Sequence, residues 1–386
     1  MRFNFLNNII LNIFRNSPFS SEIIGPPKGF ISVKKWLESS FKGINSVNYK
    51  EIHPSFKIKR NLPKTIHKEI QPIFLNNCEF LSKPTFVINI PNGRVHGKRA
   101  DIITPDDKLL SDFSLEFYER AHDNPILYRF ALRRVKKYAG KLAVISSCNS
   151  TNYYHWMLDI LPRIELLRLG NYIPDKYVID SSRNFQKESL KILKISENEI
   201  IANSNKLHIK ADRLLVPSLP SNAANTSGWV CDFLRKTFLE EERAKNGKNY
   251  ERIYISRAQA AFRRLLNEEE IDPLLEKHGF KKIILENLNL TDQISLFSSA
   301  KIIVAPHGAG LTNIVFSNPN TKLLELFPQT YINHCFWTLS NQVGLDYHYM
   351  IGEVNHLNNN STGNPIYDDF VADIKMLEKS LLNLTK

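Results

Sequence analysis

The stretch 301–316, "KIIVAPHGAGLTNIVF", decides how this chain is read. A β-branched apolar run ends at Pro306 and passes at once into His307-Gly308-Ala309-Gly310, after which an apolar segment resumes as a helix start. Strand, glycine turn and helix in that order mark the carboxyl end of a strand in an open α/β sheet, where such sheets hold their ligands. Gly308 and Gly310 have no Cβ, so the backbone is free to take positive φ and another group can come close to it. A helix amino end presents unpaired N–H groups and the positive end of the helix dipole, which suits phosphate, and His307 offers one more donor. The third glycine of a dinucleotide fingerprint is replaced by Leu311-Thr312-Asn313, which argues against a nicotinamide dehydrogenase.

The same alternation runs outward in both directions. Upstream, strands are expected at 84–90, 141–147, 176–180, 212–218, 252–257 and 281–286, with helices at 152–169, 186–195, 229–245, 267–279 and 290–300. Downstream come a strand at 321–327 and a last amphipathic helix at 367–384. Thr291 is the expected cap of the helix before the opening strand, and Asn267 with Glu270 the expected capping box of the helix at 267–279. The fold class is therefore α/β, with two doubly wound, Rossmann-like domains. The stretch "PSLPSNAANTSGW" at 217–229 reads as the linker between them. The organisation is a basic, partly irregular extension over 1–80, an N-terminal domain over 81–216, a C-terminal domain over 230–350, and a tail with its helix over 351–386.

The 386 residues are 42% hydrophobic and 23% charged, ordinary values for a soluble globular protein. The net charge of +12 is lopsided, since residues 1–100 hold 16 Lys+Arg against 5 Asp+Glu. Such a field favours an acidic partner, such as an anionic membrane surface. Leu6, Ile10, Ile13 and Phe14 share one helical face flanked by Arg2 and Arg15, long enough for an interface but too short and polar to span a bilayer. No nucleic-acid reader motif accompanies the charge. Cys78, Cys148, Cys231 and Cys335 lack disulfide or zinc spacing, so a reducing compartment and no structural metal are expected.

Two further stretches carry chemistry. In "YISRAQAAFRRLLNEEEI" (254–271), Arg257 closes a strand while Arg263 and Arg264 lie in the following loop. Guanidinium groups on one corner repel unless an anion binds, and a diphosphate matches their bidentate geometry. In "NYYHWMLDILPR" (152–163), His155 and Asp159 are four apart on one helical face, an arrangement that serves a general base. Glu325, inside the apolar "KLLELFP", needs a partner, either an arginine or ribose hydroxyls.

These blocks, in this order, resemble glycosyltransferase family 61, the group with bacterial capsular-polysaccharide transferases, plant xylan-decorating transferases and animal protein O-GlcNAc transferases. The resemblance covers about residues 140–330. It implies a GT-B architecture with two domains facing a cleft, and an inverting, metal-independent transferase using a nucleotide-sugar. Carried onto this sequence, Asp159 and His155 become the candidate catalytic residues. Arg257, Arg264, His307, Gly308, Ala309, Gly310 and Asn313 become the candidate diphosphate site of a UDP-sugar, and Glu325 the candidate ribose ligand. No cofactor or metal is expected. The acceptor is a glycan or lipid-linked hydroxyl, and the location cytoplasmic, peripheral on the inner face of the membrane. The competing reading is a non-catalytic scaffold of the same polysaccharide machinery.

Overall fold

In the computed structural model, Ile302–Pro306 is buried along its whole length. It is the third of five parallel strands: β1 (Arg252–Ile255), β2 (Lys281–Ile283), β3 (Ile302–Pro306), β4 (Lys322–Pro328) and β5 (Asp346–Gly352). Their spatial order is β2-β1-β3-β4-β5, so the direction of winding reverses between β1 and β3. That reversal makes the topological switch point of a doubly wound sheet. Helices Glu268–Lys277 and Leu290–Ser299 return the chain from β1 to β2 and from β2 to β3. Asn289, not Thr291, caps the second, accepting a hydrogen bond from the Asp292 amide. Ala309–Phe316 joins β3 to β4 as a 3-10 helix, and Cys335–Val343 joins β4 to β5.

The structure describes residues 25–40, 48–113, 120–221, 224–242, 250–354 and 363–386. The amphipathic face expected over 6–14 lies outside them, as does part of the helix expected at 229–245. Among the described residues no helix is long and apolar enough to cross a membrane. All four cysteines are free, with Cys231 and Cys335 buried.

Two compact units divide the chain. One takes the described residues up to Pro54 with Pro84–Pro220, the other Ser55–Lys83 with Ser221–Lys386. The division after Pro220 falls within the expected linker. The basic first 80 residues, however, are not one extension. Lys64–Thr65 pairs parallel with β5, so Ser55–Lys83 belongs to the C-terminal unit. The tail is not separate either. Its helix, Ile374–Thr385, begins at the Asp373 cap and buries Leu377, Leu381 and Leu384 in one core with Leu274, Leu275 and Val304. Each such leucine contributes about 1.5–3 kcal/mol.

The N-terminal unit is α/β with a mixed sheet, a correction to the expected doubly wound design. Four strands are parallel, in the order His208–Pro217, Lys136–Val144, Lys176–Ile179, Ile200–Ala202. On the far side of His208–Pro217 the sheet turns antiparallel, through Thr85–Pro91, Arg94–His96, Asp101–Ile103 and Asn48–His53. Thr85–Pro91 and Arg94–His96 pair along the same partner strand because Asn92, at φ 55°, and Gly93 form a kink rather than a hairpin.

This unit also buries two imidazoles edge to face, His96 and His208, with ring centres 5.3 Å apart. Burial pushes His96 down to about 4 and lowers His208 too. The unfolded chain therefore binds more protons than the folded one below the ordinary histidine range. The stability these groups leave intact above about pH 6.5 is lost as the pH falls toward 4. A falling thermal midpoint over that interval is the expected result, and His96→Gln should flatten the curve.

Candidate functional site

The carboxyl ends of β1 and β3 flank the switch point, and the glycine turn sits there. Beyond β1, Glu268 is buried and collects hydrogen bonds from the Tyr254 hydroxyl (2.9 Å), the Ser256 hydroxyl (2.7 Å) and the Arg257 amide (3.2 Å). The helix at 268–277 thus uses its first acidic residue to fix the backbone that presents Arg257. The expected capping box is absent. Asn267 instead exchanges two hydrogen bonds with Ala372, tying the corner to the tail.

Arg257 folds back on its own loop, donating through Nε to Arg263 O (3.1 Å) and through Nη2 to Phe262 O (2.8 Å). It lies against Gly308. A Cβ built at Gly308 would stand 2.6 Å from the guanidinium carbon. Gly308 is therefore required for space and not for conformation, since its φ of −179° is extended backbone. Neither Gly308 nor Gly310 takes positive φ. The positive φ of this corner belongs to Arg263, at 54°.

Arg263 donates from Nε to His307 O (3.2 Å) and from Nη1 to Ile366 O (2.8 Å), and its guanidinium sits over the rings of Phe262 and Tyr331. Burial, and then Arg263, lower Arg257 to about 10; burial also lowers Arg263. Among the described residues neither has a carboxylate within salt-bridge distance. Two half-buried guanidinium groups, one lowering the other, concentrate positive charge at this corner, which favours an anion. Arg264 lies elsewhere. Its side chain is half exposed and bound by Asp369 at 2.6 Å, which raises it above the usual arginine range. Of the two neighbours it is Arg263, not Arg264, whose side chain faces His307, as the left-handed turn at Arg263 directs.

The turn itself offers the amides of Ala309 and Gly310. The first bond of the 3-10 helix runs from Leu311 N to Gly308 O, so both amides precede it, and both residues are half-buried. Asn313 is wholly buried and spends its side-chain amide on Gln293 (2.9 Å) and Gly310 O (3.1 Å). It holds the turn from beneath.

His307 and Glu325 are a buried pair, Nδ1 to Oε1 at 2.5 Å, and the Tyr347 hydroxyl donates to Oε2 at 2.5 Å. Burial pushes His307 well below and Glu325 well above their ordinary ranges. Both directions fit one neutral arrangement, with the proton on the Oε1–Nδ1 line and Nε2 left as an N–H donor. Glu325 has no exposed surface and both its oxygens are engaged, one by His307 and one by Tyr347.

In the N-terminal unit, the chain leaves Lys136–Val144 at its carboxyl end, and Asn152 caps the next helix through the Tyr154 amide. Trp156–Ile160 is a π-helical turn, closed by Leu161 N to Trp156 O. Such turns recur at functional sites. It carries Asp159, whose Oδ2 meets His155 Nδ1 at 2.7 Å, so the structure brings the predicted pair together. One turn on, buried Arg163 donates to Ile145 O (2.6 Å), Ser146 O (3.1 Å) and Pro217 O (2.7 Å), and burial pushes it down to about 9 against the opposing field of Asp159. Sequence reading passed over Arg163, although a charge in the apolar run "ILPRIELL" signalled it.

Fold and site together define an α/β protein with an arginine-lined glycine turn at the switch point of one unit and a histidine–aspartate helix in the other. Residues 153–324 match the family model described as Glycosyltransferase 61, so the resemblance read from the sequence stands. The chain is 28% identical over 187 residues to a beta-1,2-xylosyltransferase of Arabidopsis thaliana, covering 44% of this chain and 33% of the relative. It is 32% identical over 109 residues to an alpha-1,3-arabinosyltransferase of Oryza sativa subsp. japonica, covering 26% and 18%. It is 32% identical over 77 residues to an EGF domain-specific O-linked N-acetylglucosamine transferase of Drosophila melanogaster, covering 19% and 15%. The matched stretches span a third or less of these relatives' own length.

Proposed function

We propose that the chain is a glycosyltransferase that moves a pentose or hexose from a UDP-sugar to an acceptor hydroxyl, with inversion and without a metal. The observation that carries this reading is the pair of half-buried guanidinium groups, Arg257 and Arg263, without carboxylate partners among the described residues, beside the Gly308–Gly310 turn. The diphosphate is bound by these arginines, the Ala309 and Gly310 amides and His307 Nε2–H. The two units are proposed as the facing domains of a GT-B enzyme. The acceptor enters from the N-terminal one and loses its proton to the His155–Asp159 pair. Its oxygen bonds to the anomeric carbon as the bond to the phosphate oxygen breaks, and the arginines and turn amides meet the charge that develops on the departing UDP. A glycan or lipid-linked acceptor of surface-polysaccharide synthesis, approached at an anionic, cytoplasmic membrane face through the basic first quarter, completes the proposal.

The test is a panel of UDP-sugars with candidate acceptors in EDTA, reading UDP release and the anomeric configuration of the product. One productive UDP-sugar with inverted configuration supports the reading; no UDP-sugar turnover, or turnover with a non-sugar nucleotide, contradicts it. Asp159→Asn should lower turnover by roughly a hundredfold or more while UDP affinity is kept, since a positioned base contributes about 10²–10⁴-fold. Unchanged turnover would remove Asp159 as the base.

A further inference from the structure

A second buried guanidinium in the C-terminal unit has no ligand assigned to it. Arg60 lies just beyond the short strand Lys57–Lys59, which pairs with Glu79–Leu81. It is 7% exposed. Its Nη1 donates to Asn77 O at 2.8 Å, and its guanidinium carbon lies 5.4 Å from the ring centre of Phe80 and 5.7 Å from that of Trp337. Its Nε and Nη2 have no hydrogen-bond partner among the described residues. Those two atoms form the edge of the fork that takes a carboxylate or phosphate in two parallel bonds.

His334 stands beside it. Both of its ring nitrogens are buried without a partner among the described residues, as is the Thr330 hydroxyl. Burial, and then the Arg60 charge, push His334 down to about 4. His334 also opens the helix Cys335–Val343, making no side-chain cap. The first helical bond runs from Thr338 N to His334 O, and Asn333 Oδ1 satisfies the Cys335 amide, so the Trp337 amide lies at the positive end of the helix dipole. A buried cation with an open fork, an unpartnered imidazole and a helix amino end are costly to keep together unless an anion completes them.

We propose that Arg60 and His334 form an oxyanion subsite that takes a carboxylate or phosphate group of a ligand bound to the C-terminal unit. Placing that ligand at the donor site rests on the proposed transferase reading, and a chain of contacts supports the placement. His307 packs edge to face on Tyr331 at 5.6 Å, and the Tyr331 hydroxyl accepts from Asn333 Nδ2 at 3.1 Å, one residue before His334. On that reading the group belongs to an acidic sugar. Arg60 and His334 both lie outside the matched family region.

The test records the thermal midpoint of the full chain with glucuronate, inorganic phosphate, UDP-glucose and UDP-glucuronate, each against sodium chloride at equal ionic strength. Wild type should gain several degrees from glucuronate or phosphate, and should bind UDP-glucuronate roughly tenfold or more tighter than UDP-glucose. Arg60→Met and, separately, His334→Ala should erase both the gain and the preference while keeping the shift with UDP-glucose. A gain from phosphate without one from glucuronate assigns the subsite to a phosphate group. No gain from either anion in wild type overturns the proposal whatever the variants do, as do equal gains in wild type and both variants. A glucuronate gain without a shift from any nucleotide upholds the subsite and sinks the transferase reading instead.

Discussion

Arg263→Ala is expected to lower turnover by two to three orders of magnitude and to leave a folded protein. Removing one preorganised donor to a developing oxyanion costs about 10²–10³ in rate. The change also takes hydrogen bonds from His307 O and Ile366 O, a loss of about 1–3 kcal/mol in stability. Relief of the repulsion on Arg257 offsets part of that. The informative contrast is Arg264→Ala. Sequence reading places Arg264 on the diphosphate, but its half-exposed bridge to Asp369 contributes at most about 1 kcal/mol, so turnover near wild type is expected. Steady-state kinetics on the two variants side by side separate the arginines. The reverse ranking would return the role to Arg264.

The second large effect is expected from the smallest substitution, Gly308→Ala. The new methyl group would stand 2.6 Å from Arg257 Cζ, and Arg257 cannot withdraw without giving up its bonds to Phe262 O and Arg263 O. Overpacking of this kind costs about 1–3 kcal/mol. Because the group displaced is the one assigned to the diphosphate, UDP affinity should fall at least roughly tenfold. Gly310→Ala is the control. Its Cβ would meet only the tip of the Leu285 side chain, at 2.6 Å from Cδ1, which can rotate aside, so a smaller change is expected. Calorimetric titration with UDP reads both. Wild-type affinity in Gly308→Ala would show that Arg257 is not held over the turn when nucleotide binds.

The parallel sheet around 252–328 was legible because strong apolar runs, glycine turns and capped helices agree locally with the final topology. What the residues did not disclose was set by backbone twist and long-range pairing. The two arginines at 263 and 264 look equivalent in sequence. A single left-handed φ at Arg263 decides which faces His307 and which meets Asp369, more than a hundred residues away. Glu325 was recognisable as a buried acid in need of a partner, but the partners, His307 and Tyr347, lie on neighbouring strands. Gly308 was singled out for both conformational freedom and close approach, and close approach alone is what uses it. The four-residue spacing of His155 and Asp159 survived the π turn intact, so that pair was readable without a structure. The antiparallel half of the N-terminal sheet was not, since the kink at Asn92-Gly93 and the pairing of strands far apart in the chain leave no periodic trace.

The central claim is that a diphosphate completes the corner formed by Arg257, Arg263 and the glycine turn. Its most direct test is equilibrium binding of UDP to the full chain in EDTA, measured for wild type and for Arg263→Ala and Arg264→Ala. Saturable binding to wild type, retained in Arg264→Ala and weakened at least roughly tenfold in Arg263→Ala, is the predicted result. Absence of UDP binding to wild type, or equal binding in all three proteins, would contradict it.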